Sequence, residues 1–215
     1  MTTSDDPRDL AARLVREHGT TFAADAGIAL RDEPSALWEL LLLTLLLSAR
    51  IRSQAAVDTA RVLIGAGWTS PERLAASTHR QRVAVLGRGG YRRYDESTSA
   101  KLAHAASLLQ DRWGGDLRAL RDEAGGDPAR IARLLQEFEG IGPTGARIFL
   151  REVQAVWPSV RPAADDLVRK GARAAGLPTD PSALADLVTG DELAPLCAAM
   201  VRVARDPQLL ERAGI

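Results

Sequence analysis

The stretch Phe138-Glu139-Gly140-Ile141-Gly142-Pro143-Thr144-Gly145-Ala146 decides the fold prediction, because two helical patterns meet there across a Gly-Ile-Gly turn. Apolar residues recur at helical spacing on both sides of this turn: Ile131, Leu134, Leu135 and Phe138 before it, and Ala146, Phe149, Leu150 and Val153 after it. Glycine permits backbone angles that are closed to other residues, and proline suits the first position of a helix. The pattern predicts a helix, a tight turn and a second helix whose N-terminal amides suit an anion such as phosphate.

This segment resembles the helix-hairpin-helix of the endonuclease III-like (HhH-GPD) DNA glycosylase superfamily. The family's form is an apolar residue, Pro, Gly, an apolar residue, Gly, two variable residues and a small residue, and Glu139 stands here in place of the proline. Further stretches look like family segments in the family's order: residues 46–50, residues 86–91 with Lys101 in the next helix, residues 162–168, and the helix end at Gly176-Leu177. The resemblance covers about residues 33–178. Taken alone, a Gly-x-Gly turn between helices also fits a plain tight turn.

The expected fold class is all-α, because helical spacing recurs along the chain and no convincing alternating strand pattern is present. The resemblance implies two helical domains with a cleft between them. Residues 36–150 are expected to form a central bundle with the hairpin at its end. Residues 1–35 and 151–215 are expected to form the second, discontinuous domain.

Cysteine and histidine usage limits the cofactors that this chain can hold. Cys197 is the only cysteine in 215 residues, so neither an intramolecular disulfide nor a four-cysteine iron–sulfur cluster of the kind that many family members carry can form. The three histidines, His18, His79 and His104, are dispersed and lack metal-ligand spacing. No cofactor and no transition metal are therefore expected. The resemblance leaves room for a monovalent cation, Na⁺ or K⁺, at the hairpin backbone.

The formal charge balances, with 28 basic and 28 acidic residues, so any affinity for DNA must come from local groups. The resemblance makes double-stranded DNA with a lesion or mismatch the expected partner. The candidate DNA-binding residues are Gly140, Ile141, Gly142, Thr144, Gly145 and Arg147 at the hairpin, Arg50 and Arg52 after an apolar run, and Arg88, Tyr91, Arg92 and Arg93 in a glycine-containing segment. Arg50 is the candidate to fill the gap that a flipped base leaves. For any single arginine, a place on a solvated surface is the alternative.

The expected chemistry depends on a missing lysine. Family members with lyase activity carry a lysine just after the hairpin that attacks the sugar, and Thr144 stands at that position here. Lys101 and Lys170 are the only lysines, and arginine cannot replace the nucleophile because its guanidinium stays protonated. The remaining route is hydrolysis, in which an ionised carboxylate stabilises the positive charge that develops on the sugar as the base departs.

The resemblance assigns this carboxylate to Asp165, with the adjacent Asp166 as the alternative. Either aspartate could instead cap the helix that begins there, which is a structural role.

The sequence therefore predicts a monofunctional DNA glycosylase that flips out a damaged or mispaired base and hydrolyses its N-glycosidic bond. The alternative is a catalytically inactive helix-hairpin-helix protein that only binds DNA. The chain shows neither a secretory leader nor an apolar run long enough to span a bilayer, so the bacterial cytosol is the expected location. The protein is expected to be a monomer. No pattern in the sequence indicates which lesion is recognised.

Overall fold

The computed structural model describes residues 6–212, with the side chain of Arg212 excepted, and those residues form helices and no β-strand. The predicted all-α class is confirmed for this part of the chain. The helices in chain order are α1 (Pro7–His18), α2 (Phe22–Asp25), α3 (Pro34–Leu47), α4 (Ser53–Gly65), α5 (Pro71–Ala75), α6 (His79–Arg88), α7 (Asp95–Trp113), α8 (Leu117–Glu123), α9 (Pro128–Leu135), α10 (Pro143–Val153), α11 (Asp166–Ala174), α12 (Pro181–Ala185), α13 (Leu193–Arg205) and α14 (Gln208–Arg212), with a 3₁₀ turn at Pro158–Val160. Within residues 6–212 no helix combines the length and the apolar character that crossing a membrane requires.

The contacts divide the chain into two compact units. The terminal unit combines the chain up to Phe22 with the chain from Arg151 onward, and the central unit is Ala23–Leu150. The sequence-based division between residues 35 and 36 stays a prediction about domains. The contact-based units differ from it in residues 23–35, which belong to the central unit.

The central unit is built around α3, which is buried on nearly all sides. Its run from Leu40 to Leu46 is at most 5% exposed at every position. A helix that is apolar all round requires neighbours on every side, and here α4, α7 and α8 pack against it. Trp38 is fully buried in α3, and its indole N–H donates to the Trp68 carbonyl at 3.0 Å. This bond satisfies the one polar atom of a large core side chain.

The end of α7 fixes the entry to the hairpin. Gly114 caps α7 in the left-handed conformation, at φ 60°. Immediately before it, the Trp113 ring stacks on Phe138 with ring centroids 5.7 Å apart. Arg112 forms ion pairs with Glu123, at 2.7 Å, and with Glu137. Phe138 lies beyond the end of α9 yet is fully buried, so the chain entering the turn is anchored by packing.

The terminal unit packs α1 and α11 against α13. Ten of the thirteen residues of α13 are buried. Gly171 of α11 lies so close to α13 that a Cβ atom there would overlap the backbone carbonyl of Met200. The two helices therefore meet backbone to backbone. Trp157, in the loop after α10, is 1% exposed and completes this core.

Candidate nucleic-acid interface

The hairpin between α9 and α10 forms where the sequence predicts it. Gly140 has φ 96°, a conformation that side chains rarely allow, and the Ile141 amide donates to the Phe138 carbonyl at 2.9 Å. Pro143 is the first residue of α10, as expected. Ile141 is only 3% exposed, so its side chain anchors the turn in the core and any DNA contact at this position must come from its backbone.

The hairpin presents backbone donors to solvent. The amides of Gly142 and Thr144 make no hydrogen bond with any part of the chain that the structure describes, and both residues are exposed. Pro143 between them has no N–H. Free amides at the start of a helix, together with the helix dipole, favour an anion. Phosphate binding at this surface stays a prediction.

The same turn offers backbone acceptors. The carbonyl oxygens of Gly140 and Ile141 accept no hydrogen bond from residues 6–212. Oxygen donors of this kind suit hard cations, so the backbone fits the monovalent cation that the resemblance allows. Elsewhere in the described part of the chain, no cluster of three or more histidine, cysteine, aspartate or glutamate side chains could hold a metal ion.

Helices α3 and α7 pack against the hairpin. A Cβ atom at Gly145 would overlap the Ser48 hydroxyl, and one at Gly140 would lie 2.9 Å from Cδ of Lys101 and 3.4 Å from Leu45. Gly145 is therefore a packing residue that lets α10 approach the end of α3. The sequence does not indicate that Ser48 and Lys101 lie at the hairpin, because only the tertiary fold brings α3 and α7 to it.

Tyr91 lies in the core rather than at the surface. Tyr91 is among the candidate DNA-binding residues, but its ring is 2% exposed and its hydroxyl donates to the Leu46 carbonyl at 3.1 Å. Burial raises the pKa of Tyr91 to about 12, because a phenolate would be poorly solvated there. Tyr91 therefore supports the end of α3 from within the core. Its neighbour Tyr94 is half-buried and carries the Arg93 guanidinium 5.4 Å from its ring centroid.

All six predicted DNA-binding arginines lie at the surface. They are Arg50, Arg52, Arg88, Arg92, Arg93 and Arg147. Arg82, which neighbours this set in sequence, is 8% exposed, and its guanidinium donates to Ser99 and Ser77. Arg82 is therefore a core residue of the central unit. The exposed set can contact phosphates through charge-assisted hydrogen bonds.

A serine–histidine–acid chain also lies in the central unit. The Ser99 hydroxyl is 2.9 Å from His79 Nδ1, and His79 Nε2 is 2.6 Å from Glu96 Oε2. A hydrolase needs its serine open to substrate, whereas Ser99 is fully buried and also accepts a bond from Arg82. This network has a structural role at the start of α6.

In the terminal unit, Asp165 is the N-cap of α11. Its Oδ1 accepts hydrogen bonds from the amides of Leu167, at 3.1 Å, and Val168, at 3.0 Å. Its Oδ2 lies 2.5 Å from Nη1 of Arg151. The Asp165 side chain is 13% exposed and that of Arg151 is 4% exposed, so this is a largely buried ion pair.

Asp166 has a different environment. Its side chain is 76% exposed and pairs with Arg169 one turn along α11, at 3.1 Å. The capping role that the sequence left open for either aspartate therefore belongs to Asp165. The catalytic assignment of either residue stays a prediction. Thr144, at the position of the family's lysine, lies exposed in the first turn of α10, and Lys170 is exposed on α11.

Comparisons with known proteins place this fold. No protein-family model matches the chain, and no curated protein matches it. Among solved structures, it is similar to a trapped covalent intermediate of endonuclease III with DNA, described as an estranged-adenine complex. The similarity covers 94% of this chain and 86% of that one, with a TM-score of 0.51 and 16% sequence identity. The all-α fold is thus that of endonuclease III.

Proposed function

We propose that this chain is a DNA glycosylase of the helix-hairpin-helix superfamily. It binds double-stranded DNA that contains a damaged or mispaired base and hydrolyses the N-glycosidic bond of that base without cleaving the strand. The observation that carries the proposal is the pair of exposed, unbonded amides of Gly142 and Thr144, at the start of a helix, in a fold like that of endonuclease III. The protein is proposed to act as a monomer in the cytoplasm.

DNA binding rests on local groups, since the net charge of the chain is zero. The Gly142 and Thr144 amides bind a phosphate of one strand, and the exposed arginines contact further phosphates. Arg50 fills the space that the everted nucleotide leaves. If a Na⁺ or K⁺ ion binds the Gly140 and Ile141 carbonyls, it supplies a fixed positive charge that strengthens the same phosphate contact.

Catalysis rests on Asp165. Its Oδ1 accepts hydrogen bonds from two amides of α11. Its Oδ2 accepts one from Arg151 and has one lone pair left to accept another hydrogen bond. An ionised carboxylate near the sugar stabilises the oxocarbenium-like charge and orients the attacking water. Thr144 cannot form the Schiff base that a lysine forms, because a hydroxyl is not an amine. Strand cleavage through a covalent intermediate is therefore not part of the proposal.

The decisive experiment incubates the protein with a panel of duplexes that contain oxidised, alkylated, deaminated or mismatched bases. Free base is measured directly, and abasic sites are revealed by hot alkali. We expect base release from at least one duplex, with strand breaks only after alkali and no covalent adduct after borohydride treatment. An adduct that disappears in Lys170→Ala would contradict the monofunctional assignment. No release from the entire panel would contradict glycosylase activity.

Gly142→Val tests the DNA-binding surface. A Cβ atom at Gly142 meets nothing within 4 Å and the residue does not have positive φ, so the fold accepts a side chain there. The branched side chain would stand beside the exposed amides and keep a phosphate away. Loss of a hydrogen bond to a charged group costs about 1.5 to 3 kcal/mol. We therefore expect at least about tenfold weaker binding of a lesion duplex in a fluorescence anisotropy titration.

Gly65→Val is the matched control for this variant. Gly65 is an exposed glycine of the same unit with equally open space around its Cα atom and no positive φ. It should leave the affinity unchanged, and both variants should melt within a few degrees of wild type. Equal affinities for Gly142→Val and wild type would remove the hairpin amides from the DNA interface.

A catalytically inactive DNA-binding protein remains the second candidate. One observation favours it: both Asp165 oxygens already have partners within the protein. The lesion panel separates the two functions. An inactive protein would still bind the duplexes, and Gly142→Val would still weaken that binding, but no base would be released from any duplex.

A further inference from the structure

We infer that Arg151 is a positioning residue for the Asp165 carboxylate, a role that rests on the proposed function. The two residues are 14 positions apart, and α10 ends between them. Their contact joins Nη1 of Arg151 to Oδ2 of Asp165 at 2.5 Å, in an environment where both side chains are largely buried.

The hydrogen bonds of Asp165 determine which of its carboxylate lone pairs remain free to accept a further bond. A carboxylate has about four lone-pair positions, two on each oxygen. The Leu167 and Val168 amides occupy Oδ1, and Arg151 occupies one position on Oδ2. One position on Oδ2 is therefore left for a water molecule or for the sugar. Arg151 sets the direction in which that position points, because the amides alone hold only the other oxygen.

Arg151 is itself held in place. Its guanidinium carbon lies 5.8 Å from the centroid of the Phe22 ring, and its Nε lies 4.0 Å from Oε1 of the buried Glu152. A guanidinium against an aromatic face is attracted by the ring electrons, and more strongly when both are shielded from water. That Nε is buried and makes no hydrogen bond within residues 6–212, and the guanidinium donates to Asp165 through Nη1.

Lysine cannot fully replace this arginine. A guanidinium is planar and its donors have a fixed geometry, whereas an ammonium group is a single flexible point charge. A catalytic group displaced by about 1 Å can cost on the order of 100-fold in rate. Loss of Arg151 should therefore slow base release while the DNA-binding surface of the central unit stays intact.

The experiment compares Arg151→Ala, Arg151→Lys and the control Arg169→Ala, which removes the exposed partner of Asp166. Single-turnover base release and duplex affinity are measured for each protein. We expect Arg151→Ala to release base about 10- to 100-fold more slowly, with affinity within about threefold of wild type. Arg151→Lys should be intermediate and Arg169→Ala normal. Low-millimolar guanidinium, but not sodium at equal ionic strength, should restore part of the rate of Arg151→Ala.

Several results would overturn the role of Arg151. These are a wild-type rate in Arg151→Ala, a loss of affinity equal to the loss of rate, or a rate in Arg151→Lys that matches wild type. A crystal structure of Arg151→Lys tests the positioning without any activity: Asp165 should take more than one carboxylate orientation, and a single orientation as in wild type would contradict the inference. An inactive wild-type protein would instead reject the proposed function.

Discussion

Asp165→Asn is expected to lower base release by at least about 100-fold while duplex affinity stays within a few-fold of wild type. The asparagine side chain keeps an oxygen that can accept the Leu167 and Val168 amides, so the cap of α11 survives. The negative charge is lost, and with it the stabilisation of positive charge on the sugar. Single-turnover release and anisotropy measure the two quantities separately.

The same substitution also affects stability. The amide nitrogen of asparagine would face Nη1 of Arg151, so that a donor meets a donor and the buried guanidinium loses its partner. Breaking a buried ion pair by removing one partner costs about 3 to 5 kcal/mol. Activity must therefore be measured at a temperature at which circular dichroism shows the variant folded. Asp180→Asn is the matched control, because Asp180 caps α12 through two amides in the same way and is exposed.

Asp166→Asn provides the chemical control. Asp166 is adjacent in sequence, mostly exposed and paired with Arg169, so its replacement should leave the rate within about twofold of wild type. The opposite result, with Asp166→Asn inactive and Asp165→Asn fully active, would transfer the catalytic role to Asp166. Full activity of both variants would remove this aspartate pair from the mechanism.

Local features of the fold were readable from the sequence because their causes are local. The left-handed turn at Gly140 and the start of α10 at Pro143 each follow from the backbone preference of a single residue. Helical spacing likewise identified Ala146, Phe149, Leu150 and Val153, all of which are buried.

Features that depend on distant parts of the chain were not readable. Tyr91 and Arg82 lie in a polar segment of the sequence, yet both are buried. The Leu46 carbonyl of α3 accepts from Tyr91, and the Ser99 carbonyl of α7 accepts from Arg82. The contact between Arg151 and Asp165 is of the same kind, since nothing in the spacing of the two residues indicates it. The sequence identified the capping position at the start of α11 but not the arginine that shares the carboxylate.

The packing of α11 on α13 predicts a large loss of stability for Gly171→Ala. A Cβ atom at Gly171 would overlap the Met200 carbonyl oxygen and lie 2.6 Å from the carbonyl carbon. The obstacle is backbone, which cannot turn aside as a flexible side chain can. We expect a loss of about 3 kcal/mol in the free energy of unfolding, at the upper end for overpacked cores.

Gly87→Ala is the control that separates this overlap from the general effect of alanine in a helix. Gly87 lies within α6, and a Cβ atom there meets nothing within 4 Å. Alanine favours the helical state over glycine, so Gly87→Ala should raise stability by about 0.5 to 1 kcal/mol. Urea unfolding of both variants should therefore give changes of opposite sign. Asp165 caps the helix that contains Gly171, so a displaced α11 should also slow base release. If Gly171→Ala were as stable as Gly87→Ala, the close packing of α11 on α13 would be contradicted.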